Sequence, residues 1–145
     1  MLKIRPYKQT DNDFIYTSWV NSYRPFCRWM PKRQYQRAYS NAIDRSLEAP
    51  DSITKVACLG TNEDVIIGWV HGAENLLHYL FVRPDFRFSI LPHFPVADML
   101  TQEIHKSGEL LYTHWTFDFR RRLNDSYTYR PDCWRPNLDA KKETK

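Results

Sequence analysis

The spacing of apolar side chains predicts a short strand followed by two helices. Residues 2–6 alternate apolar and charged side chains and end at a proline, which is typical of an edge strand. Apolar residues then recur every three or four positions, first up to Pro25 and again over 33–48, before Pro50. The positions that define the two helical faces are Ile15, Trp19, Tyr23, Tyr35, Ala38, Tyr39, Ala42, Ile43 and Leu47.

The pattern changes to that of β-strands after Pro50. Residues 53–59 and 65–70 indicate two strands joined by the turn at 60–64. The run at 76–82 is apolar almost without interruption, as expected for a strand that is buried on both faces. These segments therefore predict the centre of a sheet.

A third helix and a last strand complete the prediction. Helical spacing marks 96–104, and the run 110–115 is strand-like. Because a single helix connects 76–82 to 110–115, we expect those two strands to be parallel. The element order is β-α-α-β-β-β-α-β, an α/β (or α+β) domain over 1–138, with a polar tail at 139–145.

Composition restricts the class of protein. The chain of 145 residues is 42% hydrophobic and 15% aromatic, which excludes a disordered chain. It lacks an apolar run near the roughly 18 residues of a membrane helix, and the N-terminus does not have the pattern of a signal peptide. Three cysteines without a CxxC pair indicate reduced thiols, so we expect a cytoplasmic protein.

The distribution of charge is more informative than the net charge of +4. No acidic residue occurs between Asp13 and Asp44. The basic residues in that interval are Arg24, Arg28, Lys32, Arg33 and Arg37. Such a stretch is either a solvated surface or a binding surface for an acidic macromolecule. Nucleic acid is not the expected partner, because the chain shows no recognised nucleic-acid-binding module.

Several kinds of catalytic site leave no trace in the sequence. It contains no HExxH, GxSxG, Walker or GxGxxG motif and no zinc-type spacing of histidine and cysteine, so no metal site is predicted. The segment 78–100 is of greater interest. There a buried strand runs into an arginine-containing loop and then a helix, an arrangement that favours phosphate binding.

The ordered motifs of the chain resemble the GNAT superfamily of acetyl-CoA-dependent N-acetyltransferases, in particular the short versions encoded by tailed bacteriophages. The resemblance covers about 120 residues in the right order. The motifs that carry it are Ile4-Arg5-Pro6-Tyr7, Ser18-Trp19, Ser22-Tyr23-Arg24, Ile67-Gly68-Trp69-Val70, Leu77-His78-Tyr79-Leu80-Phe81-Val82 with Phe86-Arg87, and Leu111-Tyr112-Thr113-His114-Trp115-Thr116.

The resemblance implies a mixed sheet that splays between the strands at 76–82 and 110–116. It also implies acetyl-CoA as cofactor, with the pantetheine arm on the backbone of Phe81 and Val82 and the pyrophosphate on the loop from Arg87. The amine would approach from the side of the two N-terminal helices. The cofactor-binding residues implied in this way are Phe81, Val82, Arg87, Phe88, Ser89, Ile90 and Leu91.

This loop departs from the pattern of the family, which reads Arg/Gln-x-x-Gly-x-Gly/Ala. Ile90 and Pro92 stand at the two small positions. A branched side chain prevents close approach of the backbone to phosphate, and proline has no N–H to donate. Two lost charge-assisted hydrogen bonds, at about 1.5–3 kcal/mol each, would weaken cofactor binding by two to four orders of magnitude.

The resemblance also suggests roles for titratable residues. A general base takes the amine proton, and His78 and His114 are the candidates, one on each splayed strand. A tyrosine commonly protonates the leaving thiolate, and Tyr127 and Tyr129 are the candidates.

The tryptophans are assigned by their positions in the predicted elements. Trp19, Trp69 and Trp115 fall in regular elements and are expected in the core, whereas Trp29 and Trp134 fall in loops, next to arginines, and could contact a partner.

Three functions remain open at this point. The first is an N-acetyltransferase acting on an unidentified amine. The second is a catalytically degenerate GNAT-fold protein that binds a host macromolecule or is part of a virion. The third, an unrelated nucleic-acid-binding domain, is supported only by the basic stretches.

Overall fold

A computed structural model describes residues 2–23, 28–87, 96–120 and 127–134. Its strands are β1 (Leu2–Pro6), β2 (Ile53–Leu59), β3 (Ile66–Ala73), β4 (Leu76–Val82), β5 (Leu110–Tyr112) and β6 (Tyr127–Tyr129). Its helices are α1 (Asn12–Tyr23), α2 (Lys32–Glu48), α3 (Pro84–Arg87), α4 (Val96–Gln102) and α5 (Phe117–Arg120). Short 3-10 turns at Gln9–Asp11 and Pro131–Cys133 complete the described elements.

The described strands form one mixed sheet in the order β1-β2-β3-β4-β5-β6. Each of the strands β1 to β4 is antiparallel to its neighbour in this series, whereas β5 runs parallel to β4 and β6 runs parallel to β5. The predicted fold class, element order and parallel pair are thus confirmed. The short elements α3, α5 and β6 were not predicted from the sequence, because segments of three or four residues carry little periodicity.

The two faces of the sheet bury different kinds of side chain. Helices α1 and α2 cover one face, where Trp19, Trp69 and Tyr79 are fully or almost fully buried and stack on one another. Helix α4 covers the other face through Leu100, which lies among aliphatic residues such as Leu77. Aromatic residues therefore dominate the face that carries the N-terminal helices.

A β-bulge bends β4 near its start. His71 pairs with Tyr79 and the next residue, Gly72, pairs with Leu77, so His78 is the extra residue on β4. A Cβ atom on Gly72 would stand 2.1 Å from the carbonyl oxygen of Leu76, so this tight geometry requires glycine.

The last predicted strand is shorter than its apolar run suggested. Strand β5 ends at Tyr112, and Trp115 is 50% exposed, so the prediction that Trp115 lies in the core is wrong. The chain turns after Thr113 and places His114 against the α1/α2 face, so that Trp115 lies at the surface. Trp19 and Trp69 are buried as predicted, whereas Trp134 packs against His114 instead of projecting from its loop.

No helix of the described residues is both long and apolar enough to span a membrane. The predicted boundary at 138 lies outside the described residues and stays a prediction.

Candidate functional site

Strands β4 and β5 pair at one end and then separate. Their register covers Leu76 with Leu111 and Leu77 with Tyr112, and the Thr113 N–H donates to the Leu77 carbonyl at 3.0 Å. Strand β4 continues to Val82 without a β5 partner in this register. The second half of β4 therefore has no strand partner on this side, which agrees with the splay that the resemblance implied. We call this unpaired side of β4 the gap, although α5 lies beside its far end.

A hydroxyl joins the two candidate bases where the strands separate. Thr113 Oγ1 lies 3.0 Å from His78 Nδ1 and 2.8 Å from His114 Nδ1. A third histidine, His71, lies beside His78 with ring centroids 5.4 Å apart, and hydrogen bonds to Ser46 and Thr54 hold its two nitrogens. The tertiary structure thus collects histidines from β3, β4 and the segment after β5.

Burial keeps these imidazoles uncharged. Desolvation lowers the pKa of His78 to about 4, against a small opposing effect of Asp51. Desolvation, together with the nearby His78, lowers the pKa of His114 to about 3. The pKa of His71 is also well below its usual range, for the same reasons of burial and neighbouring histidines. All three rings are therefore neutral at pH 7.

The shared hydroxyl links the tautomers of His78 and His114. Thr113 has one proton to donate, so one of the two Nδ1 atoms must carry the hydrogen and donate to Oγ1. The protonation of one ring therefore constrains the hydrogen bond that the other can make through this hydroxyl.

The far end of the gap is closed by an ion pair. The Val82 N–H donates to Asp118 Oδ2 at 2.9 Å, and Asp118 Oδ1 lies 2.9 Å from Arg87 Nε. Arg87 Nε also donates to the Val82 carbonyl at 2.9 Å, and its guanidinium carbon lies 4.7 Å from the centre of the Phe117 ring. Asp118 is 7% exposed, so this carboxylate is largely removed from water.

A cavity of about 220 Å³ opens beside the bulge, at the other end of β4. Its lining comes from the end of α2, the loop between α2 and β2, the end of β3, the start of β4 and the segment 133–134. His78, Asp51, Arg45 and Trp134 are among the lining residues. Since His78 also contacts Thr113 at the separating strands, it lies between the cavity and the gap.

The structure brings some of the predicted catalytic residues together and separates others. His78 and His114 meet at Thr113. Tyr127 and Tyr129 lie on the α4 face instead, where Tyr127 stacks on Phe119 and Tyr129 contacts Tyr112. The geometry of the described residues does not place either tyrosine beside the histidines, and their role as acid stays a prediction.

The predicted binding residues are only partly described. Phe81 and Val82 end β4 and Arg87 ends α3, and their role in cofactor binding stays a prediction. Phe88, Ser89, Ile90, Leu91 and Arg24 lie outside the described residues. Arg28, Arg33 and Arg37 are exposed on and before the first turns of α2.

Sequence reasoning missed two residues of this region. Thr113 lies in a run that is typical of a strand, so nothing distinguished it. Asp118 lies after the last predicted element, and nothing distinguished it from the other acidic residues, which number 17 in all. A signal for Asp118 was present, since a lone carboxylate in the run Trp115-Thr116-Phe117-Asp118-Phe119 stands between aromatic residues that bury it.

A bound metal ion needs a cluster of side chains that can ligate it. Within 2–23, 28–87, 96–120 and 127–134, no group of three or more histidine, cysteine, aspartate or glutamate side chains is arranged to hold a metal ion.

Comparison with known proteins gives structural neighbours alone, since no protein-family model and no curated protein matches the chain. The PaiA N-acetyltransferase of Thermoplasma acidophilum, solved with coenzyme A, is 17% identical over 71% of this chain and 69% of that chain, with a TM-score of 0.45. A GNAT-family acetyltransferase of Staphylococcus aureus is 13% identical with a TM-score of 0.49, and the match covers 72% of this chain and 64% of that one. A transcriptional regulator of Bacillus halodurans is 13% identical over 99% of this chain and 91% of that chain, with a TM-score of 0.47. At these identities and scores, none of the three assigns a function to this chain.

Proposed function

We propose that this protein is a GNAT-fold N-acetyltransferase that uses acetyl-CoA and acts on an amine. The observation that carries the proposal is the separation of β4 from β5 after Leu77 and Tyr112, which leaves a strand edge beside a pair of neutral histidines. The ordered motifs that resemble the family support it as well. The bacteriophage relationship suggested by those motifs stays a prediction.

The described residues fit an acyl-CoA once Asp118 releases the Val82 N–H. Val82 directs its N–H into the gap, and a carboxylate oxygen already lies 2.9 Å from it, so an acceptor oxygen suits this position. Arg87 supplies a cation where the strand leads into the loop. Phe81, Val82 and Arg87 are therefore the described residues that would hold the ligand. When bound, acetyl-CoA supplies an activated acyl thioester.

The chain itself supplies a proton acceptor and a layer of aromatic side chains that excludes water. His78 is unprotonated throughout the neutral range because its pKa is about 4, and its ring lines the cavity. Because this ring is a weak base, an amine held in the cavity could pass its proton to it only as the amine nitrogen bonds to the acyl carbon and becomes more acidic. Trp19, Tyr79 and His114 pack edge to face or stacked behind the site and exclude water from it.

Calorimetric titration with acetyl-CoA and with CoA tests the binding part of the proposal. We expect saturable binding, and amide chemical shifts of Phe81 and Val82 should move during the titration. Absence of binding at millimolar ligand would overturn the proposal.

Release of free thiol in the presence of a panel of amines tests the chemistry. We expect His78→Gln to lower turnover by about a hundredfold or more, since general-base catalysis contributes on that order, while acetyl-CoA affinity stays the same. His105→Gln is the matched control, because His105 lies next to Gly108, beyond α4. Equal turnover of the two variants would remove His78 from the mechanism.

A second function has its own support in a basic segment that we define as Arg28, Trp29, Lys32, Arg33 and Arg37. Its four cations are exposed, and no ion pair with another described residue is found for any of them. Trp29 is 77% exposed among them. The first turn of α2 holds no acidic residue, although a helix N-terminus favours negative charge. These cations do not stabilise the folded state, and their arrangement suits a binding surface for an acidic protein.

A defined acidic probe separates this function from nucleic-acid binding. We expect a polyglutamate peptide to bind the wild-type chain with micromolar affinity, and reversal of Arg28, Arg33 and Arg37 to glutamate to remove that binding. Reversal of Lys3, Lys55 and Lys106 is the control of equal charge, because these lysines lie outside the basic segment. Tighter binding of single-stranded DNA of equal charge, with a steep dependence on salt, would instead indicate nucleic acid.

A further inference from the structure

We infer that Asp118 is a latch on the β4 edge, which must release both Val82 and Arg87 before an acyl-CoA can bind there. This inference rests on the proposed function, since it concerns the regulation of the same site. It assigns a role to a residue that neither the sequence motifs nor the proposed chemistry uses.

The first step is the geometry of the contact. The two carboxylate oxygens of Asp118 face different partners, Oδ2 the Val82 N–H at 2.9 Å and Oδ1 the Arg87 Nε at 2.9 Å. Arg87 Nε in turn donates to the Val82 carbonyl at 2.9 Å. Both backbone polar groups of Val82 on the gap side are therefore satisfied from within the chain.

The second step is competition for the same donor. A backbone N–H has one hydrogen, so Val82 cannot serve Asp118 and a ligand carbonyl at full strength together. The contact is charge-assisted and largely buried, which makes it stronger than a neutral hydrogen bond in water. A ligand that offers only an amide carbonyl is at a disadvantage against it.

Departure of Asp118 would leave the Arg87 guanidinium without this carboxylate. Arg87 is mostly buried, with its side chain 18% exposed, and it would lose a carboxylate partner when Asp118 moves. A cation in that state seeks another anion. A ligand that carries both an amide carbonyl and a diphosphate offers a replacement for the carboxylate at Val82 and at Arg87, whereas a pantetheine fragment offers one at Val82 alone.

The residue after Asp118 anchors α5 in the core. Phe119, next to Asp118, is fully buried against Tyr112 and Tyr127, with ring centroids 4.9 and 5.4 Å apart. This anchor keeps α5 beside β4 when the carboxylate turns away. Opening therefore requires a change of side-chain rotamer and not the loss of the element.

Two variants and one control test the latch. Asp118→Ala removes both contacts, and Asp118→Asn keeps an acceptor oxygen while removing the charge. Asp85→Asn is the matched control, because Asp85 forms an exposed pair with Arg83. Circular dichroism verifies that each variant is folded, and Asp118→Asn serves as the test if Asp118→Ala is not.

The readout that does not depend on the cofactor is hydrogen exchange of the Val82 amide, followed by NMR. We expect exchange to accelerate at least tenfold in Asp118→Ala and to stay unchanged in Asp85→Asn. An unchanged Val82 rate in a folded Asp118→Ala would show that the latch contact does not form in solution, and would overturn the inference.

The second readout is ligand affinity by calorimetry. We expect acetyl-CoA to bind Asp118→Ala about tenfold more tightly than the wild-type chain, and pantetheine, which meets the same Val82 N–H, to bind more tightly as well. Faster Val82 exchange with equal acetyl-CoA affinity in both proteins would overturn the role of Asp118 as a latch but leave the proposed function standing. Faster exchange with no acetyl-CoA binding to either protein would overturn the proposed function as well.

Discussion

The two ends of β4 are stabilised by opposite means. At its start the bulged residue His78 is held by the Thr113 hydroxyl, in a cluster of neutral groups. At its end Val82 is held by the ion pair of Asp118 and Arg87. Both arrangements satisfy polar groups at the edge that β5 leaves uncovered.

This difference determines how each end responds to its surroundings. The imidazoles at the start of β4 are neutral in the fold, and burial makes their protonation unfavourable. The stability of this end therefore falls in acid. An ion pair of which the carboxylate is buried is sensitive to any ligand that brings its own charges. The strand therefore joins an end whose stability depends on pH to an end that, under the inferred latch, a charged ligand opens.

The largest expected effect is acid destabilisation through the histidine end. The pKa values of His78 and His114 are about 4 and about 3 in the fold, below the 6.5 of an unfolded histidine. Below pH 6.5 the unfolded chain binds more protons than the folded chain does, so stability is full above 6.5 and falls as the pH drops towards the folded pKa values. Between pH 7 and 5 the free energy of unfolding should fall by about 2 kcal/mol for each histidine, about 4 kcal/mol together.

Urea denaturation at pH 7 and pH 5 measures this loss. His78→Gln, which cannot titrate, should show a smaller difference between the two pH values. An equal difference in the variant and the wild-type chain would mean that His78 is not buried as a neutral base.

A methyl group at the bulge should have the next largest effect. In Gly72→Ala the new Cβ meets the Leu76 carbonyl oxygen, which belongs to the backbone and cannot rotate away. We expect a loss of about 3 kcal/mol in the free energy of unfolding, measured by urea denaturation. Gly108→Ala is the control, because nothing lies within 4 Å of a Cβ there and its φ of +66° alone should cost about 1 kcal/mol. A loss at Gly72 no larger than at Gly108 would contradict the bulge geometry.

Loss of the hydroxyl that joins the two histidines should have an intermediate effect. Thr113→Val keeps the shape of the side chain but leaves two buried ring nitrogens without a partner. We expect a loss of about 2 kcal/mol in unfolding free energy. Thr113→Ser, which keeps the hydroxyl, should recover most of it, and failure of serine to do so would assign the effect to packing.

The smallest effect should be a gain in stability. Lys32 begins α2, where the helix N-terminus disfavours a cation. Lys32→Glu should therefore stabilise the chain by about 0.5 kcal/mol in thermal or urea unfolding at low salt. Under the second proposed function the same change should weaken binding of polyglutamate. A gain in stability without any change in that binding would exclude Lys32 from the surface.

Much of the fold could be predicted from the sequence because its strong periodic signals are long. The alternation at 2–6, the helical spacing over 33–48 and the apolar run at 76–82 each reflect burial on a defined face. The parallel pairing of β4 and β5 followed from a single crossover helix. Short elements such as α5 and the early end of β5 were not predicted, since three or four residues cannot show a period.

The candidate site was predictable in its residue types and not in its connections. His78 and His114 were candidates because the family resemblance implied a base and the sequence offered one histidine on each of the two splayed strands. Their meeting through Thr113, and the carboxylate of Asp118 on the Val82 N–H, join residues 35 and 36 positions apart in the chain. Nothing local in a sequence specifies contacts at that separation.

The sequence by itself determined which segments are strands and helices, because burial of apolar side chains has a period that the chain must carry locally. It also determined the basic segment before and within α2, since charge is a property of composition. Only the tertiary structure decided which polar groups satisfy the part of the β4 edge that β5 does not pair. That choice depends on how far β5 follows its neighbour before it turns away, and the turn brings His114 to one end of the gap and Asp118 to the other.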